Sequence, residues 1–284
     1  MSWCADVRIL IAAGVSLSLA VLPAAAAPMR GVNSDHFIVE HEATAADFAR
    51  QVSLRAEEYY ASIADELGYV RYDNFWRWDN RVRIVIYADH DAYQRATGRP
   101  AWSHGYADYA QKKICSYVWG DGFLDTLLAH EIAHLIFRDF VGFKGEVPLW
   151  LDEGVAQWTH QRRSGEFASQ MAQFKSAGIS LPLADMMRMD IRGLAAEAQI
   201  TLPALTGGTA RNVSGQTLIG VYYRQAVSLV GFLIQRYGTD RFVQLCRQLR
   251  DGRTLAEALP FVYPTQMRTV TDMELQWQEY VEEL

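Results

Sequence analysis

The sequence predicts an α+β fold, and three observations carry that expectation. Short apolar runs with strand-like alternation fill the part before residue 120. Beyond it, apolar residues recur at helical spacing over about 123–138, from Leu149 and again from about Leu218, with a mixed stretch over 164–217 between them. HEIAH, residues 130–134, falls inside the first of those later helices and gives the arrangement a chemical centre. The expected division is a leader over 1–27, a β-rich N-terminal lobe over 28–120 and a helical lobe over 121–284.

In chain order, FIVEH (37–41) reads as a strand. AADFARQVSLRAEEYYASIADELG (45–68) reads as a helix: Phe48, Val52, Ala56, Tyr59 or Tyr60, and Ile63 share one face, and Gly68 ends it. RVRIVIYAD (81–89) alternates Val82, Ile84 and Ile86 and is a strand. After turn material at TGRP (97–100), GYADYAQKKICSYVW (105–119) forms a strand or hairpin. A helix follows over about 123–138, then a loop containing KGEVP, then a second helix opening near Leu149. Residues 205–217 read as a loop because they are glycine-rich and polar. From Leu218 the chain is helical, with segments closing on Gly238 and Gly252 and a last one running to Leu284.

Half of the 284 residues are hydrophobic and 21% are charged, which suits a folded chain with a sizeable core rather than a disordered one. The formal charge of -6, with no long basic run, argues against nucleic acid as a partner. At the N-terminus Arg8 precedes an apolar run from Ile9 to Leu22, followed by Pro23 and Ala24–Ala27. That is the layout of a secretory signal cleaved near Ala26 or Ala27, and the run is short for a membrane span, which needs about 20 apolar residues. An uncleaved anchor is the alternative. No later segment reads as long and apolar enough to cross a bilayer, so the expected product is exported, either periplasmic or secreted. Cys4 lies in the leader; Cys115 and Cys246 are either a disulfide or two separate buried thiols.

The chain has only seven histidines, and two of them, His130 and His134, stand four apart. On a helix they project from one face about one turn apart, so both imidazoles can reach one metal ion. Glu131 is rotated by about 100° from His130, free of the ligand set but able to face a metal-bound water. This is the H-E-x-x-H arrangement of two zinc ligands and a general base. With this histidine frequency the pattern arises by chance in about one chain in a hundred, so coincidence is already a weak explanation. A catalytic zinc site needs a third protein ligand and an open position. Glu153, 19 positions after His134 within WLDEGVAQW, supplies a carboxylate from a neighbouring antiparallel helix and completes a His2Glu set.

HEIAH, an 18-residue gap and the glutamate of WLDEGVA together resemble the gluzincin, or peptidase MA-like, zinc metallopeptidases. They are most similar to the catalytic domain of the zinc aminopeptidases and to small secreted bacterial proteins of that group. The resemblance implies a zincin-like fold, one Zn2+ held by His130, His134 and Glu153, and Glu131 activating the water. It also implies an oxyanion-stabilising tyrosine on a later helix. VYYRQAVSLVGFL offers Tyr222 and Tyr223, and Tyr223-Arg224-Gln225-Ala226 fits the family pattern better. One departure matters. The Gly-x-Met-Glu-Asn stretch that binds a substrate's free amine in the aminopeptidases has no counterpart here, where GYADYAQKK stands in its place.

The expected activity is therefore zinc-dependent hydrolysis of a peptide or protein substrate, as an endopeptidase. Two alternatives remain: a zinc-stabilised binding or scaffold protein without turnover, and a zinc hydrolase of non-peptide amides. Asp152 is either a carboxylate partner for a ligand histidine or a first-turn acid favoured by the helix dipole. His104 and His160 lack partner spacing and read as surface or packing residues, and Trp150 and Trp158 as core.

Overall fold

Three parallel strands form the centre of the sheet: β2 (Phe37–His41), β3 (Val82–Tyr87) and β5 (Lys113–Tyr117). Their sequences, FIVEH, VRIVIY and KICSY, are β-branched and aromatic, as a sheet with both faces occupied requires. Two antiparallel strands close the edges, β1 (Arg30–Asn33) beside β2 and β4 (Gly105–Asp108) beside β5. The order is β1-β2-β3-β5-β4, a small mixed sheet. This computed structural model describes residues 28–68, 76–101, 103–142, 147–161, 167–203 and 210–283. The leader proposed for 1–27 lies outside them.

Each face of the sheet has its own cover. Phe37, Val39, Ile84, Ile86 and Ile114 point into the main core beneath α1 (Ala46–Glu66). On that helix Phe48, Val52, Ala56, Tyr60 and Ile63 are buried; Tyr60 rather than Tyr59 carries the stripe, while the Tyr59 hydroxyl donates to the Leu124 carbonyl at 3.0 Å. On the other face Val85, Cys115 and Tyr117 form a satellite cluster with Tyr93 of α2 (His90–Thr97). Asp89 caps α2 by accepting from the Ala92 amide at 2.7 Å, and Gly98 ends it in the left-handed region.

Beyond the sheet come α3 (Leu128–Val141), α4 (Leu149–Gln161), α5 (Phe167–Ala177), α6 (Leu183–Met186), β6 (Gln199–Leu202), β7 (Arg211–Ser214), α7 (Gly215–Tyr237), α8 (Thr239–Arg250), α9 (Leu255–Val262) and α10 (Val270–Glu283). The helix expected over about 123–138 is present: it opens with a π-turn, Phe123–Leu127, and continues directly as α3 to Val141. The stretch 205–217, read as a loop, is corrected in part. Residues 211–214 pair with β6 as an antiparallel hairpin, 215–217 open α7 under a Ser214 cap, and 204–209 lie outside the described residues. Polar, glycine-rich strands such as RNVS carry little periodic signal, so pairing with β6 decides them.

α7 is the axis of the helical part. It is long and apolar enough to cross a membrane by length and composition, which corrects the expectation that no later segment is; yet 67% of its most apolar 18-residue stretch is buried inside the fold. Val227, Leu229, Val230, Phe232 and Leu233 are fully buried, each burial stabilising by roughly 1.5–3 kcal/mol. α4 lies directly on α7. A Cβ at Gly154 would stand 2.6 Å from the Ala226 carbonyl oxygen, and one at Gly231 would stand 2.4 Å from the Trp158 ring. Only glycine permits that approach, so α4 is held at backbone contact distance. Cys115 on β5 and Cys246 on α8 are both free and buried, which resolves the cysteine question in favour of separate thiols.

Candidate metal centre

α3 places His130 and His134 as helical spacing requires, their rings 4.6 Å apart and perpendicular. Their Nε2 atoms are 3.1 Å apart, and Glu153 Oε2 of α4 lies 3.7 Å from each. Two helices thus bring three ligand atoms, two imidazole nitrogens and one carboxylate oxygen, within 4.8 Å of one another. The donor set fits a divalent cation of zinc type: bonds of roughly 2.0–2.2 Å at tetrahedral angles separate ligand atoms by about 3.3 Å. His130 and Glu153 keep some solvent exposure, 24% and 18% of their side chains, whereas His134 is down to 3%. The centre is open on one side and closed on the other.

The closed side is built around Asp152. Its Oδ1 lies 2.9 Å from His134 Nδ1, and its Oδ2 accepts from Arg138 Nη2 at 2.7 Å. A proton on Nδ1 donated to this carboxylate leaves the Nε2 lone pair facing the other two ligand atoms. Asp152 is also in the first turn of α4, so the two roles weighed for it coexist. Burial opposes its charge, but His134 and Arg138 outweigh that and hold the carboxyl below the ordinary range. On His134 burial disfavours the cation, and Asp152, Glu153 and Glu131 together reverse this, raising the metal-free imidazole to about 9.

Glu131 stands outside this set of three, is buried, and accepts a hydrogen bond from the Ala107 amide of β4. Burial pushes its carboxyl up to about 7, with His134 working against the rise and Glu153 adding to it.

Tyr222 is fully buried and its hydroxyl leans on the Met189 carbonyl at 3.4 Å. Tyr223 is half-buried, and its hydroxyl has no hydrogen-bond partner among the described residues. Burial, then the Glu153 charge, push the Tyr223 phenol up to about 12, so it remains a donor at neutral pH. Trp150 and Trp158 are core residues, and His104 is a packing residue, stacked on Trp119 and hydrogen-bonded to the Tyr117 hydroxyl at 2.6 Å. The His160 side chain lies outside the described residues.

Sequence reasoning missed Arg138 and Tyr109. Arg138 follows His134 by one helical turn, a spacing that could have pointed to it. Tyr109, just after β4, packs edge-on against His134 with ring centroids 5.9 Å apart, and nothing in its local sequence signals that contact.

No sequence family matches the chain, and no curated protein does. Among solved structures it is similar to yeast LTA4 hydrolase: the native enzyme at 13% identity and a TM-score of 0.44, covering 88% of this chain and 38% of that one. The same enzyme bound to bestatin gives 14% and 0.46, covering 86% and 37%. Native leukotriene A4 hydrolase from Saccharomyces cerevisiae gives 15% and 0.48, covering 89% and 38%. The chain thus spans well under half the length of that enzyme.

Proposed function

We propose that the chain is an exported zinc-dependent hydrolase of peptide bonds, acting on a peptide or protein substrate as an endopeptidase. The observation that carries this is the convergence of His130 Nε2, His134 Nε2 and Glu153 Oε2, with a carboxylate, Glu131, beside them and outside the set. A zinc ion held there supplies Lewis acidity, polarising a carbonyl and making a water acidic near neutral pH.

The chain's own residues do the rest. Glu131 takes the proton from the attacking water and hands it to the leaving amine. Its hydrogen bond from the Ala107 amide fixes the carboxylate for both transfers. Tyr223 donates its hydroxyl to the oxygen on which charge develops. β4 is an edge strand whose free side can pair with an extended peptide, and Ala107 ties that strand to the base. The missing amine-binding stretch favours cleavage inside a chain over removal of its first residue.

The test is cleavage of a mixed peptide pool, with and without chelator, by wild type, Glu131→Gln and Glu153→Ala. Glu131→Gln should keep its zinc and lose about 10²–10⁴ in turnover. Glu153→Ala should lose the metal itself. A metal-replete Glu131→Gln with full activity contradicts the role given to the base. Tight zinc binding with no turnover on peptides or small amides would point to a scaffold protein, and cleavage of small amides alone to a different hydrolase.

A further inference from the structure

Four side chains from three elements close a ring behind the candidate metal centre. His134 meets Asp152 through Nδ1 at 2.9 Å, and Asp152 meets Arg138 through its second oxygen at 2.7 Å. The Arg138 guanidinium lies over the Tyr109 ring, its central carbon 4.0 Å from the centroid, and Tyr109 returns to His134 edge-on. We propose that Arg138 is a positioning residue for the metal ligand His134, acting through Asp152 and seated by Tyr109. The proposal rests on the metal-binding reading of His130, His134 and Glu153.

A carboxylate bonded through one oxygen can turn about its terminal torsion, and the imidazole it holds turns with it. With both oxygens engaged, Asp152 has one orientation, and the His134 ring plane is fixed so that Nε2 stays aimed at His130 and Glu153. Arg138 is suited to this because its planar fork both donates to a carboxylate and stacks on an aromatic face. Asp152 keeps only 6% of its side chain exposed, so water is a poor substitute partner for the oxygen that Arg138 holds. Tyr109 matters because it sits at the start of the β4–β5 turn. That turn is docked on α3 a second time by Lys112, whose ammonium lies 2.6 Å from Asp139. The hairpin bearing Ala107, the base's amide donor, and the helix bearing the ligands are thus locked in one register.

A plainer role exists: Arg138 is the basic residue in the last turn of α3, where a cation favours the helix dipole. The two roles differ in what they move. The experiment compares wild type, Arg138→Lys and Arg138→Met for zinc affinity by chelator competition, for the visible spectrum of the cobalt-substituted protein, and for melting temperature without metal. Arg138→Met should bind zinc about tenfold or more weakly and show an altered cobalt spectrum, within the 10–100-fold range known for partners of metal ligands. Arg138→Lys, which keeps the charge near the helix end, should recover the melting temperature but only part of the affinity. Wild-type affinity and spectrum in Arg138→Met would overturn the proposal. If Arg138→Met does not fold, Tyr109→Leu carries the test, since it leaves the charge and removes its seat. A severalfold loss of affinity is then expected, and none would overturn the claim. A wild-type chain that binds no zinc fails the metal reading itself, a separate result.

Discussion

Glu131, Asp152 and Glu153 are three carboxylates within one small volume, and each has different neighbours. Glu153 Oε2 lies 3.7 Å from both Nε2 atoms, Asp152 spends both oxygens on His134 and Arg138, and Glu131 is met by the Ala107 backbone amide. The approach of His130 to His134 was legible in the sequence because a helix turns a four-residue spacing into a shared face, and Glu153 joins them from α4. Asp152 was only half legible: a first-turn acid and a histidine's partner look identical until α3 and α4 pack. Tyr109 was not legible at all, because its contact with His134 is tertiary. At this scale Tyr223→Phe isolates one hydroxyl. Its removal should lower kcat by about 10²-fold with zinc content unchanged, as loss of one oxyanion donor does. Unchanged kcat in the metal-replete variant, by steady-state kinetics on a cleaved peptide, would instead make Tyr223 a packing residue, and Tyr222 the next to test.

Elements, rather than residues, decide whether the ligands meet. Glu153 reaches the histidines because α4 rests on α7 at Gly154, directly next to it in sequence. Gly154→Ala adds a methyl 2.6 Å from the Ala226 carbonyl oxygen and 2.7 Å from Val230. Overpacking of that kind should cost about 1–3 kcal/mol in a denaturant titration, and zinc affinity should fall with it because Glu153 moves with the helix backbone. A variant as stable as wild type would show that α4 has room to shift. At the sheet's other end His36 clamps β2 to α1: its amide and ring lie 2.8 and 2.6 Å from the two Glu57 oxygens, and the ring stacks on Tyr60 at 3.9 Å. Burial would raise the Glu57 carboxyl, but bonds from Ser34 and His36 outweigh it and leave the group below its ordinary 4.5. A depressed carboxyl stabilises the fold above the unfolded value and loses that contribution as pH falls through the folded one. The melting-temperature gap between wild type and Glu57→Gln should therefore be widest above about pH 5 and shrink on acidification. A gap that is constant from pH 6 to pH 3 would contradict this.

Across the whole molecule, a mixed fold of helices and a small sheet was readable, with α1 already in the first third and β6 and β7 among the later helices. What escaped were pieces whose identity depends on partners far along the chain. The eight residues of α2 are mostly polar and bury only Tyr93; the β6–β7 hairpin has one buried residue, Val213; the π-turn ahead of α3 shares its composition with an ordinary helix. α7 shows the converse, since its apolar length matches a membrane span and only the surrounding fold makes it a core helix. The core that encloses α7 also runs to Phe37 and Ile84 in the sheet and to Ile132 and Ile136 on the ligand helix. The candidate metal centre is therefore anchored to the main core, and if it binds zinc, saturation at a hundred times the Kd should stabilise the folded state by about 2.7 kcal/mol. Zinc K-edge absorption on the purified protein, with metal content measured on the same sample, tests the central claim most directly. The expected result is one ion per chain bound by two imidazole nitrogens, one carboxylate oxygen and one exchangeable solvent oxygen, with the carboxylate lost in Glu153→Ala. A protein that retains no zinc, or a closed set of four protein ligands, would contradict it.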